Sequence, residues 1–507
     1  NTDFWHNDLF TRTGHPFPGN NLFGAEHHIA RPQSGLYSSG RLGFNSHMQS
    51  TNQSVDMKEP PPTARLTASL VRSALVAALG GLLFGFDTAV ISGTTDWLQS
   101  HFGLSDFALG FTVASALIGT ILGSITVGRP ADAYGRRGVL FALALLFLLS
   151  AIGCALAWDW YSFMFFRFIG GLAVGGASVV SPMYIAEISP ARYRGRLVAI
   201  TQFNIVLGIL LAYLSNYIIG SLHLGPSECR WMFGVMALPS LAFFFLLFLT
   251  PQSPRWLVAR GRVAEAGDVL RLCGSDPAFV AQEVREIQVS LNLEHHSLEE
   301  PFFCRKYRKP ILLAVAIAAF NQLSGINALI YYTAHIFKMA GADQASALLQ
   351  SVIIGFTNLV FTMAALSVID HFGRRKLMLV GSVGYILSLS AAAYAFYTGS
   401  GGLLLLASLL VFIASHAFGQ GAVIWVFISE IFPNRVRARG QALGSFTHWI
   451  MAALISWTFP MIAAKSGGHT FAFYALCMVG QLLWVRFLMP ETKGVSLEQI
   501  QKRLGID

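Results

Sequence analysis

Twelve runs of about 20 predominantly apolar residues divide this chain, near 71–94, 107–128, 138–157, 160–183, 197–220, 231–250, 310–337, 346–369, 376–397, 403–428, 439–463 and 469–489. Each is long enough to cross the hydrocarbon core of a bilayer as a helix. No water is available there to satisfy backbone N–H and C=O groups, so a spanning segment must close its hydrogen bonds internally, as an α-helix does. Charged residues are only 12% of the 507, about half the share of an ordinary soluble domain, whereas 54% are hydrophobic. The expected fold class is an all-α membrane protein with twelve transmembrane helices, numbered spans 1 to 12.

The remaining charges are placed rather than scattered. Bases gather after the even-numbered spans: Arg129, Arg136 and Arg137; Arg192, Arg194 and Arg196; Arg374, Arg375 and Lys376; Arg435, Arg437 and Arg439. The opposite loops, such as Ser100 to Asp106 and Leu222 to Arg230, are short and poor in Lys and Arg. By the positive-inside rule both termini are expected in the cytoplasm. The same loops account for the formal charge of +9 without a nucleic-acid partner. The five cysteines, Cys154, Cys229, Cys273, Cys304 and Cys477, are scattered and lack C-x-x-C spacing, so neither a disulfide framework nor a metal site is expected. Residues 1–66 are polar and expected to be a disordered extension, and Met57 reads as the true start within it.

A polar stretch from about 251 to 309 parts the spans six and six. The two sets repeat. Asp132-x-x-Gly135-Arg136-Arg137 is answered 238 residues later by Asp370-x-x-Gly373-Arg374-Arg375, and Glu187 is answered 243 residues later by Glu430. Pro251-Gln252-Ser253-Pro254-Arg255 is answered 239 residues later by Pro490-Glu491-Thr492-Lys493-Gly494. Three landmarks at nearly one offset mark a duplicated six-helix unit in parallel repeat, an architecture with its site between the halves. The expected domains are therefore a bundle over 67–250, a cytoplasmic helical linker over 251–309, a second bundle over 310–489 and a cytoplasmic tail over 490–507.

Two polar features sit inside the apolar spans. Span 7 carries Asn321, Gln322 and Asn327 within Phe320-Asn-Gln-Leu-Ser-Gly-Ile-Asn327. Buried carboxamides are costly unless bound. They give and accept hydrogen bonds without charge, which suits a neutral ligand rich in hydroxyls such as a sugar; the alternative is that they bridge neighbouring helices. On a straight helix Gln322 and Asn327 would point about 140° apart, but Ser324-Gly325 can break the helix and turn both inward. The second feature is Asp87, the sole acid of span 1, and Arg167, the sole base of span 4. An unpaired charge at mid-helix costs about 2.5–3.5 kcal/mol, so the two are expected to face each other.

These residues together resemble the sugar porter family of the major facilitator superfamily. The resemblance is carried by Gly85-Phe-Asp87-Thr-Ala-Val-Ile-Ser-Gly93, the paired D-x-x-G-R-R loops, Arg167-Phe-Ile-Gly-Gly171, Pro251 to Arg255, Gln322 to Asn327 and Pro490 to Gly494. It implies a sugar site made of Gln202, Asn321, Gln322, Asn327, Asn358, Trp425, His448 and Trp449, the indoles offering flat faces to the ring's C–H groups. It implies an outer gate at Tyr331 and Tyr332. It also implies a cytoplasmic charge lattice of Asp132, Arg136, Arg137, Glu187, Arg194, Arg255, Asp370, Arg374, Arg375, Glu430 and Arg439, which latches the halves when the outside is open. Relatives that couple to protons carry an acid at the position of Asp87, and passive ones commonly carry a neutral residue. Burial raises a carboxyl pKa and a guanidinium lowers it, so a carboxyl–guanidinium distance that changes with conformation couples proton binding to which side is open.

The chain departs from the family pattern in five places, one of them Ile209, where some relatives carry a second span-5 amide. Gln252 stands where a Glu is usual, Asn321 is shorter than the usual Gln, His448 replaces a Gln or Asn, and Gly419-Gln420-Gly421 lacks the usual Gly-Pro kink. No G-x-x-x-x-G-K-[ST] loop is present, which argues against pumping by ATP, and no nucleophile with its base suggests an enzyme. The expected function is uptake of a hexose or pentose by proton symport through alternating access, with no cofactor, by a monomer in a bacterial inner membrane. The alternatives are passive facilitation at the same site and polyol or drug transport.

Overall fold

A computed structural model describes residues 65–297, 301–400, 402–433, 435–495 and 497–506, and the side chains of all these but 292–297, 370, 497 and 498. The extension expected over 1–66, with Met57, lies outside the described residues except for its last two positions. Among the described residues twelve helices are long and apolar enough to cross a membrane. Spans 1 to 6 are Ala68–Gly93, Asp106–Thr126, Arg136–Leu156, Trp160–Ile188, Ala191–Ser221 and Gly225–Leu249. Spans 7 to 12 are Arg305–Met339, Gln344–Ile369, Arg374–Thr398, Leu403–Ile431, Arg437–Ala463 and Gly467–Phe487.

The ends of the spans follow local chemistry. Thr67, Ser105, Asp159 and Ser466 each accept a backbone N–H of the first turn, and Asp159 with Ser162 closes a reciprocal capping box. Within the first half, spans 1 and 5 approach backbone to backbone. A Cβ on Gly85 would lie 1.9 Å from the Ile205 carbonyl oxygen, and one on Gly208 would lie 2.1 Å from that of Leu82. Lipid tails offer no hydrophobic drive for helix association, so such close packing of small residues supplies the contact energy instead.

The halves meet along span 2 against span 11 and span 5 against span 8. Between spans 6 and 7 run the short helices Pro254–Ala259, Val263–Leu272 and Val280–Ser297, which share an apolar cluster of Leu257, Val258, Ala266, Leu270, Val280 and Val284. Their amphipathic pattern explains why a polar stretch folds rather than trailing as a loop. Trp256 Nε1 donates to the Asp132 carbonyl at 3.0 Å, fastening this linker under the first half.

Candidate functional site

Span 7 is two helices. Arg308–Leu323 stops at Ser324, and Ile326–Met339 starts after Gly325, whose φ of 83° is left-handed. A Cβ there would lie 2.7 Å from the Tyr474 ring, so conformation and packing both require glycine. The Ser324 hydroxyl holds the turn by donating to Asn321 O at 2.7 Å and accepting from Ile326 N at 3.3 Å. The break brings Asn327 Nδ2 to 3.0 Å from Gln322 Oε1, a pairing that a straight helix would forbid. Gln322 is the hub: its Nε2 donates to Asn321 Oδ1 at 2.9 Å and lies 3.3 Å from each ring nitrogen of His448 on span 11. Asn321 and Gln322 are fully buried and Asn327 is half-buried.

Aromatic rings extend this cluster across the molecule. The His448 ring lies 5.2 Å from Trp425 of span 10 and 4.9 Å from Trp449, which lies 5.7 Å from Phe84 of span 1. Trp449 is buried, whereas Trp425 keeps 39% of its surface exposed. Phe84, one turn before Asp87, did not stand out in the sequence because phenylalanine is common in any apolar span. Two expected site residues stand apart from the hub. Asn358 is buried and accepts from Thr362 at 3.3 Å on its own span. Gln202 is half-buried and shares a helix face with Tyr213, eleven residues on. Tyr213 donates to Ile330 O of span 7 at 2.8 Å, so that face is turned toward the second half.

Arg167 Nη1 lies 2.8 Å from Asp87 Oδ1, with side chains only 1% and 3% exposed. The guanidinium also sits over the Phe233 ring at 5.7 Å, and its buried Nε has no hydrogen-bond partner among the described residues. Removing one member of such a pair leaves the other charge dry and uncompensated. Tyr331 is buried on span 7, which packs against span 1. Tyr332 stays within the second half, donating to Ser456 O at 3.1 Å and stacking 5.0 Å from Phe459. The helix bends at this residue, where φ is −120° and ψ is 19°.

At the basic end, two clusters repeat the same arrangement. Arg136 Nε bonds Glu187 at 2.9 Å and its Nη1 bonds Asp132 at 3.0 Å, while Ser253 Oγ donates to Glu187. In the second half Arg374 Nη2 bonds Glu430 at 2.9 Å, and Thr492 Oγ1 donates to Glu430 at 2.6 Å. The other arginine of each pair turns to backbone oxygens instead. Arg137 donates to the carbonyls of Leu247 and Phe248, and Arg375 to those of Val485 and Arg486. Both satisfy acceptors orphaned at the ends of spans 6 and 12. Arg194 donates to the Ala186 and Ser189 carbonyls, Arg255 is half-buried on the first linker helix, and Arg439 lies 6.0 Å from the Phe302 ring. The side chain of Asp370 lies outside the described residues.

Span 10 contains a π-turn over Ala417–Gly421, where proline was missing from the sequence. A π-turn inserts an extra residue and so redirects the helix, a bend obtained without a ring.

Duplicated six-helix halves enclosing an uncharged polar cluster define a membrane transporter. Comparison with known proteins agrees. Residues 73–504 match the family model described as sugar (and other) transporter. The chain is 39% identical over 464 residues to the D-xylose-proton symporter of Escherichia coli (strain K12), covering 84% of this chain and 94% of that one. It is 36% identical over 449 residues to the glucose transport protein of Synechocystis, covering 84% and 95%. The xylose transporter XylE from E. coli, solved in a partially occluded inward open conformation, superposes with a TM-score of 0.76 at 37% identity over 85% of this chain and all of that one. The chain belongs to the sugar transporter family, and it is an integral, multi-pass membrane protein.

Proposed function

We propose that this protein takes up a pentose or hexose together with a proton, by alternating access between its two halves. The observation that carries the reading is the Gln322 hub: three carboxamides and an imidazole converge, and the imidazole lies against the rings of Trp425 and Trp449. Such a set matches the donor and acceptor hydroxyls of a sugar ring, and the aromatic faces match its C–H groups. Gln202 and Asn358 complete the ligand set from the first half and from span 8 once sugar draws the halves together. Tyr331 closes the site from the outside, with Tyr332 supporting it.

The proton rides on Asp87. Its carboxylate is held by Arg167 in this conformation, and protonation frees the pair to separate, which links the proton to the direction in which the site opens. The Arg136–Glu187 and Arg374–Glu430 pairs each lie within one half, which fits a state in which the basic, cytoplasmic end is open. Orientation with both termini inside, residence in a bacterial inner membrane and action as a monomer belong to the same reading. The test is uptake of a panel of radiolabelled pentoses and hexoses into proteoliposomes, with and without an imposed pH gradient. Uptake that a gradient concentrates, with alkalinisation of the acidic side, is the expected result. Equilibration without concentration would mark a passive carrier, and no sugar uptake would overturn the site assignment.

A further inference from the structure

His416 has no evident partner in the sequence, yet it lies at the start of the π-turn in span 10. Its Nδ1 is 2.5 Å from the hydroxyl of Tyr385 on span 9, a residue with no exposed surface. That hydroxyl also faces the Ser324 hydroxyl, which in turn donates to Asn321 O at 2.7 Å. A line of buried polar side chains thus runs from the π-turn that precedes Trp425 to the broken turn that carries the carboxamides. The far end of the π-turn is fastened separately. Gln420 donates to Gln481 of span 12, and Gln481 donates to Ser382 of span 9 at 2.8 Å. Ser382 and Tyr385 lie three residues apart on one face of span 9. Between these two anchors the backbones touch: a Cβ on Gly381 would lie 2.9 Å from Gly419 Cα.

A π-turn has weaker internal hydrogen bonding than the α-helix around it, so its geometry must be held from outside. The direction in which Trp425 projects depends on that geometry. We propose that Tyr385 and His416 are positioning residues for sugar, clamping the π-turn of span 10 to the Ser324 turn of span 7 so that the indole and the carboxamides keep one spacing. Neither touches the sugar in this scheme; they act through Ser324 and Trp425. The proposal rests on the reading of the Gln322 cluster as the sugar site.

Tyr385→Phe removes only the shared hydroxyl and keeps the ring packed against Phe412, 5.2 Å away. Equilibrium binding of the transported sugar, KM and Vmax are measured in proteoliposomes for Tyr385→Phe, His416→Leu, the double variant and Asn327→Ala. Loss of one buried hydrogen bond predicts that Kd and KM rise roughly three- to tenfold in each single clamp variant, with Vmax within about twofold. The double variant is expected to be no worse than the weaker single one, because both remove the same link. Unchanged Kd and KM in both clamp variants, beside a raised Kd in Asn327→Ala, would overturn the clamp alone. An unchanged Kd in Asn327→Ala would overturn the sugar-site reading beneath it.

Discussion

Gln252 and Glu491 occupy equivalent places in the two halves, but only Glu491 caps the helix beside it. Glu491 accepts from the backbone N–H groups of Arg374 and Arg375 at 3.0 and 3.1 Å, at the start of span 9. Gln252 lies over Gly135 at the start of span 3, yet its buried Oε1 has no partner among the described residues. Both helices begin after a glycine of positive φ, 83° at Gly135 and 88° at Gly373. The difference therefore lies in the side chain rather than in the turn.

Gln252→Glu is expected to restore the cap and place a carboxylate at a helix N-terminus beside Arg136. Such a cap contributes about 1 kcal/mol. The thermal unfolding midpoint of the solubilised protein should rise by about 2 °C, with KM for sugar unchanged. A neutral or lowered midpoint would show that the orphaned oxygen is not the defect it resembles.

Gln322 bonds Asn321, Asn327 and His448 at once, so truncating it disorders the whole cluster. Gln322→Ala should raise KM for sugar at least about tenfold, since each buried polar group left unsatisfied costs about 1–3 kcal/mol. Asn358→Ala, outside the hub, should raise it less. The opposite order would place the centre of the sugar site on span 8.

Asp96, on the short helix Thr95–His101 after span 1, ties the halves together at the end away from the arginines. Its carboxylate lies 2.6 Å from His335 Nδ1 and 2.7 Å from Lys338 Nζ, both on span 7. Burial raises its pKa, but the hydrogen bonds and charges of His335 and Lys338 outweigh this and bring it to about 2. A depressed value means that the stabilisation is complete above the ordinary 3.8 and is lost only as pH falls through about 2. Acidification to about pH 5 therefore leaves the Asp96 carboxylate ionised, whereas Asp96→Asn weakens the tie at pH 5 and at pH 8. With the side chain 36% exposed, screening limits the effect to about 1 kcal/mol, roughly a fivefold shift toward opening of this end. Spin labels at Ser100→Cys and Gln344→Cys would read it as a longer distance population. Identical distance distributions at pH 8 with and without the substitution would remove Asp96 from any latching role.

Much of this was legible in the residues because the signals were local. Spans of apolar residues, the Ser324-Gly325 break and the repeated arginine loops each announce themselves within a few positions. Asp87 and Arg167 could be paired across 80 residues because each was the only charge of its sign in its span. The π-turn was not legible: Gly419-Gln420-Gly421 permits many backbones, and its partners Tyr385 and Gln481 come from spans 9 and 12. Asp96 meets His335 across 239 residues from a short connecting helix where an acid is unremarkable. Arg137 and Arg375 look identical to their neighbours in sequence. Only the position of the ends of spans 6 and 12 sends them to carbonyls instead of carboxylates.

The most direct test of the account is Asp87→Asn in proteoliposomes that hold an inward proton gradient. The variant should exchange sugar across the membrane at a rate near that of the native protein, yet fail to concentrate it and fail to move protons with it. Accumulation of sugar above its external concentration by Asp87→Asn would contradict the assignment of the proton to this carboxylate, and with it the coupling between the halves proposed for this transporter.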